Sequence, residues 1–506
     1  MRSSSGLWRT RRRLRLDARR RRLQCLKKTL GIVDAFDELI DKARPCFSQA
    51  RVFDKAKELA TGSLLTLGKR TVTGVISAGG RQFYDWSSAY RLFEKERIDL
   101  KGLFGPVIDR TIECRQAKDA LYVMMDDTLI RKRGKKVPGA AWRRDPLGPP
   151  FTTNFVWGQR YLQISAALPD RETKGRARGI PIGFYHAPSP VRPKADAPAG
   201  EWECYREQQK ATNLSACGAR HLQELRERVT DKRIVCAVDG SFTNATVFRS
   251  LPKDTTIIGR IRKDARLFEV PDAKGCGCGR KRYYGTGLPT PEQIRQDDSI
   301  PWEKVTAFAA GKHHEFSVKA LSPVRWKASG SRDVLLVVIR PIGYRPNKNS
   351  RVLYRQPAYL LCTDVDMPIE EVVQAYLWRW EIELNFRDEK TVMGVGEAQV
   401  RHICAVEAVP AFLVAVYSYL LLAACSDDID PGHLPPPKWY PEERTERITT
   451  QKALALFRSQ YWGISMECDK THFMSPSPGT RTRFFDTPFS KPAAPSPNSA
   501  ICYAMK

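Results

Sequence analysis

The clearest pattern of apolar and polar positions lies between Pro368 and Gly394, where the chain carries no internal Pro or Gly. Pro368 stands near a helix start with Glu370 and Glu371 behind it, so the stretch predicts a helix of several turns. Upstream, residues 30–100 show helical spacing, as in Ile32-Val-Asp-Ala-Phe-Asp-Glu-Leu-Ile40. Within them, two short segments flank Gly79-Gly80. They suit either a helix-turn-helix-like unit with Ser87, Ser88 and Arg91 outward, or a bundle with Trp86, Tyr90 and Phe93 in its core. Strands are predicted at 121–125, running into Asp126-Asp127-Thr128, at 155–168 and at 180–185. A helical stretch at 205–229 and a short buried parallel strand, Ile234-Val-Cys-Ala-Val238, follow. That order implies a mixed sheet with crossover connections. Residues 255–363 read as strands between Gly-, Pro- and Lys-rich loops. The apolar run 408–425 contains Pro410, Tyr417, Ser418 and Tyr419 and reads as a buried helix, not a membrane span. Beyond 427 the chain is rich in Pro, Ser and Thr and predicts a mostly disordered tail with one short helix at 449–460.

Composition narrows the partners. A chain of 506 residues should hold two or three domains. Its 84 Lys+Arg against 56 Asp+Glu, a net charge of +28, favours a polyanion, most simply nucleic acid. Ribosomal and chromatin proteins fit less well, being shorter and poorer in Trp. Thirteen scattered cysteines, an odd number, indicate reduced thiols, and Cys276-Gly-Cys278 lacks a second pair to close a zinc site. The Arg-rich start lacks the apolar core of a signal peptide and reads as a nucleic-acid-binding arm or a mis-assigned start.

The chemistry sits on the first pattern. At about 100° per residue, Tyr376, Arg379, Glu383 and Lys390 fall within an arc of about 60°. A carboxylate beside three donors suits a metal next to a phosphate, although Arg379–Glu383 is also an ordinary i,i+4 ion pair. Trp380 flanks this stripe, where it could stack on a base, with core packing the more economical role. Glu381 lies about 160° from Glu383 and cannot share its face. Two further acids stand at strand ends, in Asp126-Asp127 and in Val238-Asp239. Carboxylates at neighbouring strand ends converge at one sheet edge and can hold two divalent ions for phosphoryl displacement.

The order Asp127, Asp239, Glu383, with Tyr-x2-Arg-x3-Glu-x6-Lys at 376–390, resembles the DDE transposases of bacterial insertion sequences, in the subgroup marked by that box. The resemblance spans residues 121–424. It implies an α/β, RNase H-like mixed sheet with flanking helices, interrupted by a β-rich insertion and preceded by a helical N-terminal domain. The expected division is a basic arm (1–29), a helical DNA-binding domain (30–115), a catalytic core in two parts (116–254 and 366–426) around the insertion (255–365), and a tail (427–506). It further implies that Asp127, Asp239 and Glu383 hold two magnesium ions, with manganese able to substitute. Tyr376, Arg379 and Lys390 would grip phosphates. Asp126 is the alternative to Asp127, because adjacent strand residues face opposite ways; the Thr after the second acid favours Asp127. The implied partners are double-stranded DNA, both transposon ends and target, and a second copy of the chain, in the bacterial cytoplasm at the nucleoid. A catalytically inactive DNA-binding derivative and a metal-dependent nuclease of the same fold are the competing expectations.

Overall fold

Helices α1 (Ile32–Asp41), α2 (Ala50–Leu65), α3 (Val72–Ala78), α4 (Ser87–Glu94) and α5 (Gly105–Glu113) occupy the N-terminal part of the described chain. The computed structural model describes residues 31–473 apart from 115–119, 146–147, 149–153, 171–172, 272–281, 346–349 and 427–446. The basic arm, Cys276, Cys278 and the end of the tail therefore lie outside the described residues. The apolar stripe of α1 is buried through Ile32, Phe36, Leu39 and Ile40, and Asp34 accepts a hydrogen bond from the Gly31 amide at its start. Between α3 and α4, Phe93 is buried and Tyr90 half-buried, whereas Trp86 is 60% exposed. The bundle reading thus holds for two of its three aromatics. Arg91 folds back onto Ser87 and Asp85.

The strands follow. β1 (Leu121–Arg131), β2 (Ala141–Arg144), β3 (Phe155–Pro169) and β4 (Ala177–His186) form an antiparallel group, then α6 (Ala199–Ala211) and α7 (Leu214–Arg228) cross over to β5 (Ile234–Val238). β5 is buried along its whole length and pairs parallel with β1 on one side. After α8 (Ala245–Arg249), β6 (Thr255–Arg260) pairs parallel with the other side of β5. A strand covered on both faces needs the unbroken apolar run that the sequence supplies. β7 (Leu267–Phe268), β8 (Gly287–Leu288), α9 (Pro291–Gln296), β9 (Glu303–Ala309), β10 (Lys312–Trp326) and β11 (Asp333–Ile339) come next. The small pair β12 (Gly343–Tyr344) and β13 (Leu353–Tyr354) leads to β14 (Ala358–Cys362).

Apart from the two-stranded β12–β13 sheet, these strands do not build a separate sheet. One 12-stranded mixed sheet runs β2-β3-β1-β5-β6-β14-β11-β10-β7-β8, with β4 also on β3 and β9 also on β10. The strand-rich stretch expected as an insertion thus continues the sheet through β6 and β14. Its alternating apolar positions show strand character but do not show which edge the strands join.

Helices α10 (Ile369–Trp378), α11 (Trp380–Thr391), α12 (Ile403–Ala424) and α13 (Thr450–Phe473) complete the described chain. The stretch expected as one helix is two, parted at Arg379. The residue keeps helical angles (φ −52°, ψ −30°), but its amide and the Ile382 amide bond three residues back, to Tyr376 and Arg379. That is one tight turn of 3₁₀ type. α12 is long and apolar enough to cross a membrane, and is 94% buried inside the protein. It packs against β4 and the N-terminal helices, which is where an all-round apolar helix belongs in a large core. Within the tail, α13 covers the short helix expected at 449–460 and runs on to Phe473. Ala453, Leu454, Leu456 and Phe457 of α13 are buried, the Phe457 ring meets Phe36 edge-on, and the Arg458 guanidinium donates to the carbonyls of Leu64 and Thr66. The first turns of α13 are therefore part of the N-terminal helical core.

Candidate active site

Strand pairing sets the first two acids side by side. Met125 and Val238 are partners in the parallel β1–β5 ladder, so the next residues, Asp126 and Asp239, leave the pair on a common face. Expected at a strand end, both Asp126 and Asp127 in fact lie inside β1, which continues to Arg131. Alternation along that strand sends them apart. Tyr122 and Met124, which share a face with Asp126, pack among Trp378, Ile382 and Phe386 of α10 and α11. On the other face, Met125 touches the α7 side near Gly218.

Asp126 meets the helical stripe directly. Arg379 Nη1 lies 3.1 Å from Asp126 Oδ2, and its Nη2 lies 2.9 Å from Glu383 Oε1. One guanidinium thus bridges β1 and α11, and the i,i+4 ion pair and the cross-element clamp are the same object. The tight turn at Arg379 brings its guanidinium 6.0 Å from the Tyr376 ring centroid. Asp239 is held by its own loop, its Oδ1 accepting from the Ser241 amide at 2.9 Å and hydroxyl at 2.6 Å. Burial pushes the Asp126 carboxyl up to about 7, the nearby Asp239 carboxylate adds to this, and Arg379 opposes it. Burial works against the charge on Arg379, but Tyr376, Asp126 and Glu383 outweigh it and raise its pKa. Burial also raises the Tyr376 phenol.

Asp127 belongs to a different group. Its Oδ2 lies 3.4 Å from Arg160 Nε of β3. The ladders place Asp127 opposite Leu162, Leu129 opposite Arg160, Arg131 opposite Gly158 and Arg143 opposite Val156. By the two-residue period, Asp127, Arg131, Arg143 and Arg160 therefore share one face of the β2-β3-β1 ribbon. Burial raises the Asp127 carboxyl, Arg160 pulls it back, the Asp239 carboxylate adds to the rise, and Arg143 and Lys390 oppose it. Burial, helped by the like charge of Arg160, lowers Arg143 to about 10.

The remaining expected residues are scattered around this centre. Trp380 is 59% exposed, so core packing is not its role. Trp378 fills that role, donating its Nε1 to the Gly175 carbonyl at 2.7 Å and meeting Tyr122 edge-on. Lys390 is exposed, with its Nζ 5.8 Å from the Phe386 ring centroid. Glu381 points away, accepting from the Gly179 amide and Arg447. In the basic stretch after β1, Lys132 is buried and donates to the Ala398 carbonyl, so it is turned away from any ligand, and Arg131 pairs with Asp145 at 2.8 Å.

Sequence reasoning missed the back of α11. Asn385 and Glu389 are buried there against Gln163 and Ser165 of β3. The signal was available, since polar Asn385 and Glu389 are four apart on one helix side and Gln163 and Ser165 two apart on one strand face.

Among the described residues, no three His, Cys, Asp or Glu side chains stand close enough to form a ready metal cage. The donor set nonetheless suits a hard divalent cation. Asp126, Asp239 and Glu383 offer carboxylate oxygens only, and Asp126 is held at about 7 by burial and an uncompensated neighbouring charge that a cation would relieve.

Comparison with known proteins agrees with the class of site. The sequence model of a family described as DDE superfamily endonuclease matches residues 43–332, more than half of the chain. The chain belongs to the DDE superfamily endonucleases. The matched region contains Asp126, Asp127 and Asp239 and ends before α11 with Glu383. No curated protein matches the chain.

Proposed function

We propose that the chain is a DNA transposase that cuts the ends of a mobile element and joins them to target DNA, with Asp126, Asp239 and Glu383 as its metal-holding acids. The observation that carries this reading is the Arg379 clamp between Asp126 and Glu383. It ties the first acid, on the sheet, to the third acid, on the helix, with a side chain of the Tyr-Arg-Glu-Lys box. Asp126 replaces Asp127 in this assignment because it shares the face of Asp239 and the clamp.

Divalent ions held by these carboxylates would activate the attacking oxygen and stabilise the leaving oxygen of a phosphodiester. The protein's own residues do the positioning. Arg379 presents a planar fork already oriented by two carboxylates, so a phosphate arriving there meets a donor with little rotamer freedom left to lose. Tyr376 sets the depth of that fork, and exposed Lys390 adds a point charge at the rim. The arginine face of the β2-β3-β1 ribbon supplies a track for the flanking strand. There Asp127 holds Arg160 in place without taking part in chemistry. Trp142, 65% exposed and edge-on to Trp157, offers an aromatic surface on the opposite face of that ribbon. Coordinated cutting of two ends calls for a second copy of the chain on the DNA.

The test uses DNA carrying the inverted repeats that flank the gene, purified protein and magnesium or manganese. Cleavage followed by joining to a target duplex is expected, and Asp239→Asn and Glu383→Gln should abolish both while leaving DNA binding intact. Cutting without joining would reduce the reading to a nuclease, which is as far as the matched family's description goes. Binding without cutting would indicate an inactive derivative.

A further inference from the structure

Glu389 is a buried acid that the cleavage chemistry does not use. It is 1% exposed, and its Oε1 has no hydrogen-bond donor among the described residues. The neighbouring Gln163 of β3 is fully buried, and its Oε1 likewise has none. Two unmatched acceptors in one buried pocket are costly, on the order of 1–3 kcal/mol each. Reversing the Gln163 amide would turn an N–H to Glu389 but set its oxygen against Ser165, whose one proton is already given to Asn385, so an acceptor would still go unmatched.

Asn385 Nδ2 donates to the Gly179 carbonyl at 3.0 Å, which leaves Asn385 Oδ1 as an acceptor. That oxygen takes the single hydroxyl proton of Ser165 at 3.0 Å. Ser165 must then accept, and it does so from Gln163 Nε2 at 3.1 Å. Gln163 is left with an oxygen that needs a donor, and Glu389 is the side chain beside it. A protonated carboxyl can donate one hydrogen bond, whereas a carboxylate can only accept.

We infer that Glu389 works as a neutral, proton-bearing acid that donates to Gln163 Oε1 and so locks helix α11 to strand β3, holding Glu383 in register with Asp126. Gln163 is the ladder partner of Asp126, so the lock sits directly behind the clamp. Asn385 continues the tie to Tyr417 of α12, and Thr450 of α13 donates to Asp388 at 2.7 Å. Glu389 is a positioning residue, and its importance for cleavage rests on the proposed transposase reading. The charged and titratable groups around it are Lys390 and Asp388 on its own helix and Tyr417 of α12. Burial raises its carboxyl to about 8 even against a Gln163 N–H turned towards it and against Lys390, so the proton is present at neutral pH, and a bond donated to Gln163 Oε1 acts in the same direction as burial.

Three variants test this in the full chain. Glu389→Gln keeps an N–H donor in place of the acid proton and should cut DNA within about threefold of the unmutated protein. Glu389→Ala should lose at least tenfold in single-turnover cleavage, in the range for groups that orient catalytic ligands, with DNA affinity unchanged. Cleavage by the unmutated protein should fall as pH rises through about 8, and Glu389→Gln should not show that fall. Loss in Glu389→Gln as severe as in Glu383→Gln would overturn the inference, because it would mean that the negative charge is needed. Full activity of Glu389→Ala would overturn it too. A readout independent of catalysis is the protonated-carboxyl stretch in the infrared difference spectrum between the unmutated protein and Glu389→Gln at pH 7. If that band is present and no DNA is cut, the transposase reading fails and the neutral acid stands. If the band is absent, the neutral acid fails whatever the activity.

Discussion

The two faces of strand β1 treat neighbouring aspartates in opposite ways. Asp126 turns towards α10 and α11, where one arginine serves two carboxylates and Asp239 adds a third acid. Asp127 turns towards a ribbon face where Arg131, Arg143 and Arg160 outnumber it. The first face has an excess of negative charge and needs a cation. The second has an excess of positive charge and needs an anion. On the proposed reading, DNA would meet these opposite deficits with divalent ions and the cleaved phosphate on the first face and phosphates of the flanking strand on the second.

The largest effect should separate these faces outright. On the proposed assignment, Asp126→Asn would remove a metal-holding oxygen worth several kcal/mol in the transition state and should slow cleavage on the order of a thousandfold. Asp127→Asn loosens Arg160 only and should cost less than about tenfold, with weaker binding at high salt. Single-turnover rates on the same DNA measure both. If Asp127→Asn proves the more damaging, the assignment of the faces is reversed.

Packing offers a second contrast. A methyl group at Gly179 of β4 would come within 2.7 Å of Asn385 Oδ1 and 3.0 Å of Glu381 Cβ, both fixed on α11. A methyl group at Gly218 of α7 would meet the buried Phe242 ring at 3.0 Å and Met125 at 3.1 Å, neither of them on α11. Gly179→Ala should therefore destabilise the fold by about 1–3 kcal/mol and impair cleavage by displacing Glu383. Gly218→Ala should also cost stability but leave cleavage closer to that of the unmutated protein, because it does not press on α11. Equal losses in denaturant midpoint and in rate would show that α11 is not the sensitive helix.

Much of this contrast was legible in the residues, but the decisive part was not. The apolar run of β5 fixed the place of Asp239, and the 376–390 spacing brought Arg379 and Glu383 together. The choice between Asp126 and Asp127 turned on how far β1 continues past its apolar stretch, and periodicity does not reveal where a strand ends. The break at Arg379 has no Pro or Gly to announce it. Docking of α13 on α1 and α2 depends on contacts between residues some 400 positions apart, such as Arg458 with Leu64; local pattern carries no information on such pairs. Trp380 showed the limit of composition, since a large apolar residue flanking a polar stripe fits core or surface equally well.

Stability against pH sharpens the first face further. The Glu389 carboxyl is raised to about 8 in the folded protein, above the ordinary glutamate value of about 4.3. A raised folded value means the native state holds a proton that the unfolded chain releases. The stabilisation is fully present below the ordinary value and declines, by at most about 1.4 kcal/mol per pH unit, as pH climbs towards 8. Glu389→Gln should remove this contribution and flatten the profile of unfolding free energy across that window. An unchanged slope would place the proton uptake on another group.

The smallest effect belongs to the arginine face and is best read as a salt dependence. Arg143 and Arg160 crowd each other beside a single carboxylate, which is why burial and the like charge lower Arg143 to about 10. A phosphate between them would relieve that repulsion. Each phosphate no longer neutralised should lower the slope of log affinity against log salt by about 0.9 on duplex DNA. Arg143→Gln and Arg160→Gln should each show a change of that size, with a weakening that is similar across DNA sequences because phosphate contacts read no bases. Cleavage at low salt should survive in both, since neither side chain reaches the acids of the other face. If the slope stays fixed while sequence preference changes, these arginines read base edges instead, and the ribbon is a recognition surface and not a track.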